Sequence, residues 1–160
     1  MTVRHADHED IEEIREVARE SWQDTYSGII PEETIEGIVN DWYSTKDLRQ
    51  QVKEPIFFVA EVEGRIAGYV HASVKGEEAH LHRLYLRPSN QGEGLGSALY
   101  DRAEKEIVDR GGKVVKLEVM SENRKGLGFY QYKGFEEEKE EVTELNGSEI
   151  RQKVMRKKLQ

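Results

Sequence analysis

The sequence predicts an α/β fold: a mixed, mostly antiparallel central sheet of about six to seven strands flanked by helices. Three observations predict it. Apolar residues recur at helical spacing through the first third of the chain. The period then switches to two through a block of three strands. A glycine-rich loop carries the last of those strands into another helix.

Thr2 to Ala6 reads as a first strand. Asp7 offers an N-cap, with Asp10 three residues on as an acidic version of the capping box. Ile11, Ile14, Val17, Ala18 and Trp22 follow as one apolar stripe of a helix. Gly28 breaks the chain, and Pro31 stands where a first helical residue would. Ile35, Ile38, Val39 and Trp42 make a second stripe. Ser44 with Asp47 caps a third, short helix carrying Leu48 and Val52, which Pro55 ends. Strands Ile56 to Val62, Arg65 to Val74 and His80 to Leu86 form an antiparallel meander, with turns at Glu63-Gly64 and at Lys75-Gly76-Glu77-Glu78. A helix from about Gly94 to Arg110 buries Leu95, Leu99, Ala103 and Ile107, and Gly111-Gly112 stops it. Val114 to Val119 is a β-branched strand and Leu127 to Tyr132 a short helix. Phe135 to Val142 and Glu149 to Met155 form a hairpin about Asn146-Gly147, a strong turn signal.

Composition narrows the function. With 160 residues and no linker, repeat or low-complexity tract, residues 1–160 read as a single domain. The absence of cysteine excludes disulfides and thiolate metal sites and fits a cytoplasmic setting. No apolar run reaches the roughly 18 residues of a membrane span, and the N-terminus has no secretory pattern. The 32 acidic and 24 basic residues give a net charge of −8, which disfavours nucleic acid and favours a cationic small-molecule partner. Oligomeric state is open, a homodimer included.

The most informative segment runs from Leu84-Tyr85-Leu86 through Gln91-Gly92-Glu93-Gly94-Leu95-Gly96-Ser97. A helix N-terminus reached through glycines presents free N–H groups to an anion, although a bare tight turn would use the same residues. The ATP-binding loop would need Gly-Lys-Ser/Thr, which is missing, and the dinucleotide fingerprint G-x-G-x-x-G fails on its last spacing. The acetyl-CoA loop Arg/Gln-x-x-Gly-x-Gly/Ala matches at Gln91, Gly94 and Gly96. Further on come Leu117-Glu118-Val119 with Asn123, and Phe129-Tyr130-Gln131-Tyr132-Lys133-Gly134-Phe135; earlier comes Ser21-Trp22-Gln23-Asp24-Thr25-Tyr26. With these pieces in this order, nearly the whole chain resembles the GCN5-related N-acetyltransferase (GNAT) family. Gly126 and Gly128 depart from the family's pattern and cost about 0.5–1 kcal/mol each in helix propensity, so the start of that helix stays open.

The resemblance implies acetyl transfer from acetyl-CoA to an amine by direct attack in a ternary complex, with no metal. Backbone N–H groups of Gly92 to Ser97 would hold the pyrophosphate. The pantetheine arm would lie between Leu84–Leu86 and Leu117–Val119, where a backbone N–H would polarise the thioester carbonyl. Asn123 would bind the arm, and Tyr130 would be the general acid toward the leaving sulfur. For the general base, His80 and His82 alternate onto one face of their strand, and Glu118 is a third candidate from the neighbouring strand. Each of these also reads as an ordinary strand residue. Zinc on His71, His80 and His82 would need all three on one side and is not expected.

The segment from Trp22 to Trp42 combines aromatic rings with Asp24, Glu32, Glu33, Glu36 and Asp41. It resembles the polyamine-acetylating branch of the family, which implies spermidine or spermine as acceptor, with Trp22, Tyr26 and Glu33 as candidate binding residues. A protein α-amine or lysine is the alternative, and a CoA-binding regulator without turnover is a reading from another class.

Overall fold

The computed structural model describes residues 1–159. Seven strands form one sheet: β1 (Thr2–His5), β2 (Phe57–Val62), β3 (Arg65–Lys75), β4 (Glu78–Leu86), β5 (Val114–Met120), β6 (Glu136–Leu145) and β7 (Ser148–Lys158). Their order across the sheet is β1-β2-β3-β4-β5-β7-β6, and every neighbouring pair is antiparallel except β4–β5. The expected order of elements and the mixed, mostly antiparallel sheet are both present.

Helices α1 (Ile11–Tyr26), α2 (Glu32–Trp42) and α3 (Thr45–Gln51) cover one face of the sheet. Ile14, Val17, Ala18, Ile35, Ile38 and Leu48 pack there against Phe57, Val59 and Tyr69. Helix α4 (Leu95–Asp109) covers the other face, where its stripe Leu95, Leu99, Ala103, Ile107 meets Val70, Ala72, Leu81 and Leu117. The short α5 (Arg124–Tyr132) sets Leu127, Phe129 and Tyr130 against that second core.

Local chemistry explains most boundaries. Asp7 and Asp10 form the reciprocal capping box, with Asp10 also holding Arg4 at 2.9 Å. Ser44 accepts from the N–H of Asp47. Asn146-Gly147 turns with φ of 44° and 84°, the left-handed pair a tight hairpin needs. Pro31 is extended (φ −55°, ψ 141°) and caps α2 rather than starting it, because nothing confines it to helical ψ. Helix α5 begins at Arg124, three residues earlier than the apolar pattern predicts, because Asn123 accepts from the N–H of Gly126 and nucleates the turn. In α2 the stripe turns at its end: Trp42 is 38 % exposed while Tyr43 is fully buried.

Two features of the sheet position the site. First, β4 and β5 pair only through Glu78–His80 with Val114–Lys116 and then part, while β4 stays on β3 and β5 stays on β7. Second, β4 carries a bulge: His71 pairs with Arg83 but Ala72 pairs with Leu81, leaving His82 as the extra residue. Before the bulge His80 faces the α1 side; after it Tyr85 faces that side, while Leu84 and Leu86 join Leu81 toward α4.

Arg87, just past β4, is 1 % exposed. Its Nε donates to the carbonyl of Ile66 at 2.7 Å and one Nη to Glu20 at 2.6 Å, with Glu16 and Glu13 at 3.5 and 3.6 Å from the other. Those glutamates share one side of α1, so a single guanidinium ties α1, β3 and the end of β4 together. Arg87→Ala is expected to lower unfolding free energy by about 3 kcal/mol, through the buried charged hydrogen bond and the void left behind. Urea denaturation followed by circular dichroism measures this.

Candidate active site

The parting of β4 and β5 opens a cleft of about 660 Å³. On the β4 side it is walled by Leu84, Tyr85 and Leu86, and on the β5 side by Leu117, Glu118 and Val119. Backbone groups of both strands face an unfilled strand position there, the setting in which an extended chain pairs with main chain.

The loop closes one end. Gln91, Gly92 and Gly94 line the cleft, as do Leu95, Gly96 and Ser97 from the first turn of α4, whereas Glu93 lies outside it. Gly92 and Gly94 adopt φ of 81° and 79°, a backbone that L side chains rarely accept. Among the described residues the N–H groups of Gly92 through Ser97 have no backbone acceptor, and α4 has no side-chain cap. Six free donors at a helix N-terminus suit a pyrophosphate. Lys125 adds a cation here, and its Nζ lies 2.6 Å from Gln91 Oε1, joining α5 to the loop.

Asn123 and Tyr130 reach the cleft from the α5 side. The Asn123 amide works within the protein: its oxygen caps α5, and its nitrogen donates to Tyr26 at 3.4 Å. Tyr130 stands edge-on to Phe129 and Phe135, with ring centroids at 5.3 and 5.6 Å. Burial, and then the neighbouring Tyr85 and Tyr26, push its phenol well above 10. It therefore holds its proton through the neutral range.

The base candidates separate. His82 and Glu118 line the cleft; His80 does not, but its Nε2 lies 2.8 Å from Glu118 Oε1. That bond raises His80 above an ordinary imidazole and lowers Glu118. Burial, helped by His71, His80 and Arg83, pushes His82 down to about 4, and its Nε2 lies 2.7 Å from Ser73 Oγ. The three histidine rings do meet, at 4.8 Å for His71–His82 and 4.4 Å for His80–His82. Among the described residues, however, no group of three or more His, Cys, Asp or Glu is arranged to hold a metal ion.

On the α1 side Trp22, Tyr26 and Trp42 wall the cleft. Glu33, a candidate acceptor residue, instead lies exposed on the first turn of α2 and does not reach it. The sequence reading missed two contributors. Arg83 lines the cleft, stands 4.7 Å over the Tyr43 ring, and donates to Gln51 and to the Trp42 carbonyl. The β6–β7 hairpin adds Thr143, Leu145, Ile150 and Gln152 as a roof. Its tip is fixed on α2 by Thr34–Ser148 (3.0 Å) and by Asn146 donating to Asp41 (3.3 Å). A methyl on Gly37 would sit 2.8 Å from Asn146 Nδ2, so a larger residue there would shift the Asn146 side chain. Period-two spacing from the hairpin turn puts 143, 145, 150 and 152 on one side, but nothing local says that this side covers a cleft.

Residues 11–135 match the model of the acetyltransferase (GNAT) family. The chain belongs to that family. It is 32 % identical over 164 residues to the spermidine N(1)-acetyltransferase of Thermoplasma acidophilum, covering 99 % of this chain and 97 % of that one. The crystal structure of the PaiA N-acetyltransferase from the same organism, in complex with coenzyme A, superposes with a TM-score of 0.86 at 32 % identity, over 98 % of each chain. The ribosomal-protein-S18-alanine N-acetyltransferase of Escherichia coli, at 20 % identity, shares the fold with a TM-score of 0.74, over 99 % of this chain and 93 % of that one. The protein is thus a GNAT acyltransferase that uses acetyl-CoA, and the cleft and loop fit that substrate.

Gly94→Val forces a branched side chain onto the left-handed backbone at the phosphate end. CoA affinity measured by calorimetry is expected to fall about tenfold or more, with the thermal unfolding midpoint changed far less than in Arg87→Ala.

Proposed function

We propose that the acceptor is a polyamine such as spermidine or spermine. The observation that carries this reading is the α1 side of the cleft, which Trp22, Tyr26 and Trp42 line together with the carboxylate of Glu118. The net charge of −8 draws a polycation toward it. The full-length relative named as a spermidine acetyltransferase supports the same class. One observation favours a second reading. Among the described residues the Arg83 guanidinium, which also lines the cleft, has no carboxylate partner, which suits an acceptor bearing a carbonyl next to its amine, as a protein N-terminus does.

In the proposed reaction Glu118 meets the substrate ammonium and His80, behind it, takes the proton that the ammonium must lose. A primary ammonium holds its proton to about 10.4, so an acceptor group has to be at hand. His82, protonated only near pH 4, is the weaker base of the two imidazoles and remains neutral during turnover. Backbone N–H groups of β4 polarise the thioester carbonyl, and Tyr130 protonates the departing sulfur.

Two outcomes follow. Tyr130→Phe is expected to cut kcat about 10²-fold or more while leaving acetyl-CoA affinity nearly unchanged. Thiol release on adding spermidine to enzyme and acetyl-CoA reads both; faster turnover with peptides than with spermidine overturns the polyamine acceptor in favour of the second reading. The sign of the pH dependence also follows. His80 is raised, so below its pKa the imidazole already holds a proton and the pair cannot accept another. The acidic limb of kcat/KM should therefore lie above the ordinary imidazole value of about 6.5, and His80→Ala should displace it toward lower pH with a lower plateau.

A further inference from the structure

Two hydroxyls in the cleft have their hydrogen-bond direction fixed by their neighbours. An indole N–H only donates. Trp22 Nε1 lies 2.9 Å from Tyr43 Oη, so the Tyr43 oxygen accepts and passes its own proton on. The next oxygen is Tyr85 Oη, also at 2.9 Å. Tyr85 is thus an acceptor within the protein, and among the described residues its own O–H has no acceptor. A second chain ends in the same way. The oxygen of Asn123 is taken by the N–H of Gly126 at 2.9 Å, which turns the amide nitrogen toward Tyr26 Oη. Tyr26 accepts, and its O–H too is left without an acceptor among the described residues.

Both tyrosines line the cleft, and both are close enough to Tyr130 to raise its phenol. Tyr26 and Tyr85 belong to the α1 side of the sheet, Tyr130 to the α4 side. The three phenols therefore look into the parting of β4 and β5 from both sides. Whatever fills the cleft is therefore offered two O–H groups of fixed direction. An ammonium offers no lone pair. The neutral amine has one, and attack requires it. A thioester lying between β4 and β5 brings a carbonyl oxygen, an acceptor with two lone pairs, into the same opening.

We propose that the Tyr26 and Tyr85 hydroxyls donate to the thioester carbonyl oxygen and stabilise the oxyanion formed there, alongside the backbone N–H of β4. The amine lone pair forms the C–N bond as the C=O π pair moves onto oxygen. The pair returns as the C–S bond breaks; sulfur leaves with its electrons and gains the proton from Tyr130, and the nitrogen, positively charged after attack, gives up one proton, which restores Tyr130. Tyr26 and Tyr85 keep their protons throughout. Trp22, Tyr43 and Asn123 are positioning residues that aim them. The inference rests on transfer from a thioester, not on which amine is used.

Infrared difference spectra of the enzyme with acetyl-CoA labelled at the carbonyl carbon test it without any amine. In Tyr85→Phe and Tyr26→Phe the carbonyl band is expected to move to higher wavenumber than in the wild type. In steady state kcat should drop by about 10²-fold for each, with the KM for acetyl-CoA within about twofold. Tyr43→Phe leaves both cleft hydroxyls but removes the donor behind Tyr85, so the band should move the same way by less; it carries the test should Tyr85→Phe fail to fold. An unmoved band in all three variants overturns the proposal. So does an unmoved band with a raised KM for spermidine, which would place the hydroxyls on the amine instead.

Discussion

After three residue pairs β4 and β5 stop sharing hydrogen bonds, and opposing constraints hold them apart. The bulge at His82 interrupts β4 just past His80, the last residue it pairs with β5. Arg87 then fixes the end of β4 to Ile66 on β3 and to Glu20 on α1. β5 is held the other way by β7, which pairs with it along its full length. Two rows of backbone groups are left facing an empty strand position. Such unpaired rows would be costly inside an ordinary core; here they face the cleft, where an extended chain can pair with them. The loop, the tyrosines and the Glu118–His80 pair all take their places from it.

The same parting separates two electrostatic requirements. Acetyl-CoA is a polyanion and the chain is acidic, so net charge cannot bind it. The loop offers an anion fixed N–H dipoles and the nearby Lys125 rather than a basic patch. The carboxylates closest to the end of β4, Glu13, Glu16 and Glu20, are drawn in by Arg87. Glu118, by contrast, lines the cleft and holds His80 at 2.8 Å. Glu118 and Arg83 thus bring one charge of each sign to the cleft.

Much of this was legible in the residues. Asp7 with Asp10, Ser44 with Asp47, and Asn146-Gly147 are short-range signals whose chemistry is complete within four residues, and each forms as read. The loop was legible because an anion-binding turn writes its glycines at fixed offsets. What stayed hidden needed partners far along the chain. The bulge carries no glycine or proline to mark it, so period two ran through His82 unchecked. Arg87 reads as a surface charge, because its partner Glu20 is 67 positions away. Glu33 was grouped with the acceptor residues by composition, but helical phase points it outward. Tyr43 and Trp42 were distinguishable only after the end of α2 had been placed over the cleft.

The hydroxyl chains show why the aromatic cluster on α1 and α2 is more than packing. Phenylalanines would fill the same volume at less cost than buried polar rings. Trp22, Tyr43 and Tyr85 nevertheless line up through polar atoms, and a chain that starts at a donor-only indole can end only in a donor. Such a chain has a direction, and a direction is useful where negative charge develops on one atom and vanishes again within a single turnover. The wall that contacts the amine would then also aim the group that steadies the acetyl oxygen. An acceptor that displaced Trp22 would slacken catalysis as well as binding, which couples the choice of amine to the rate of transfer.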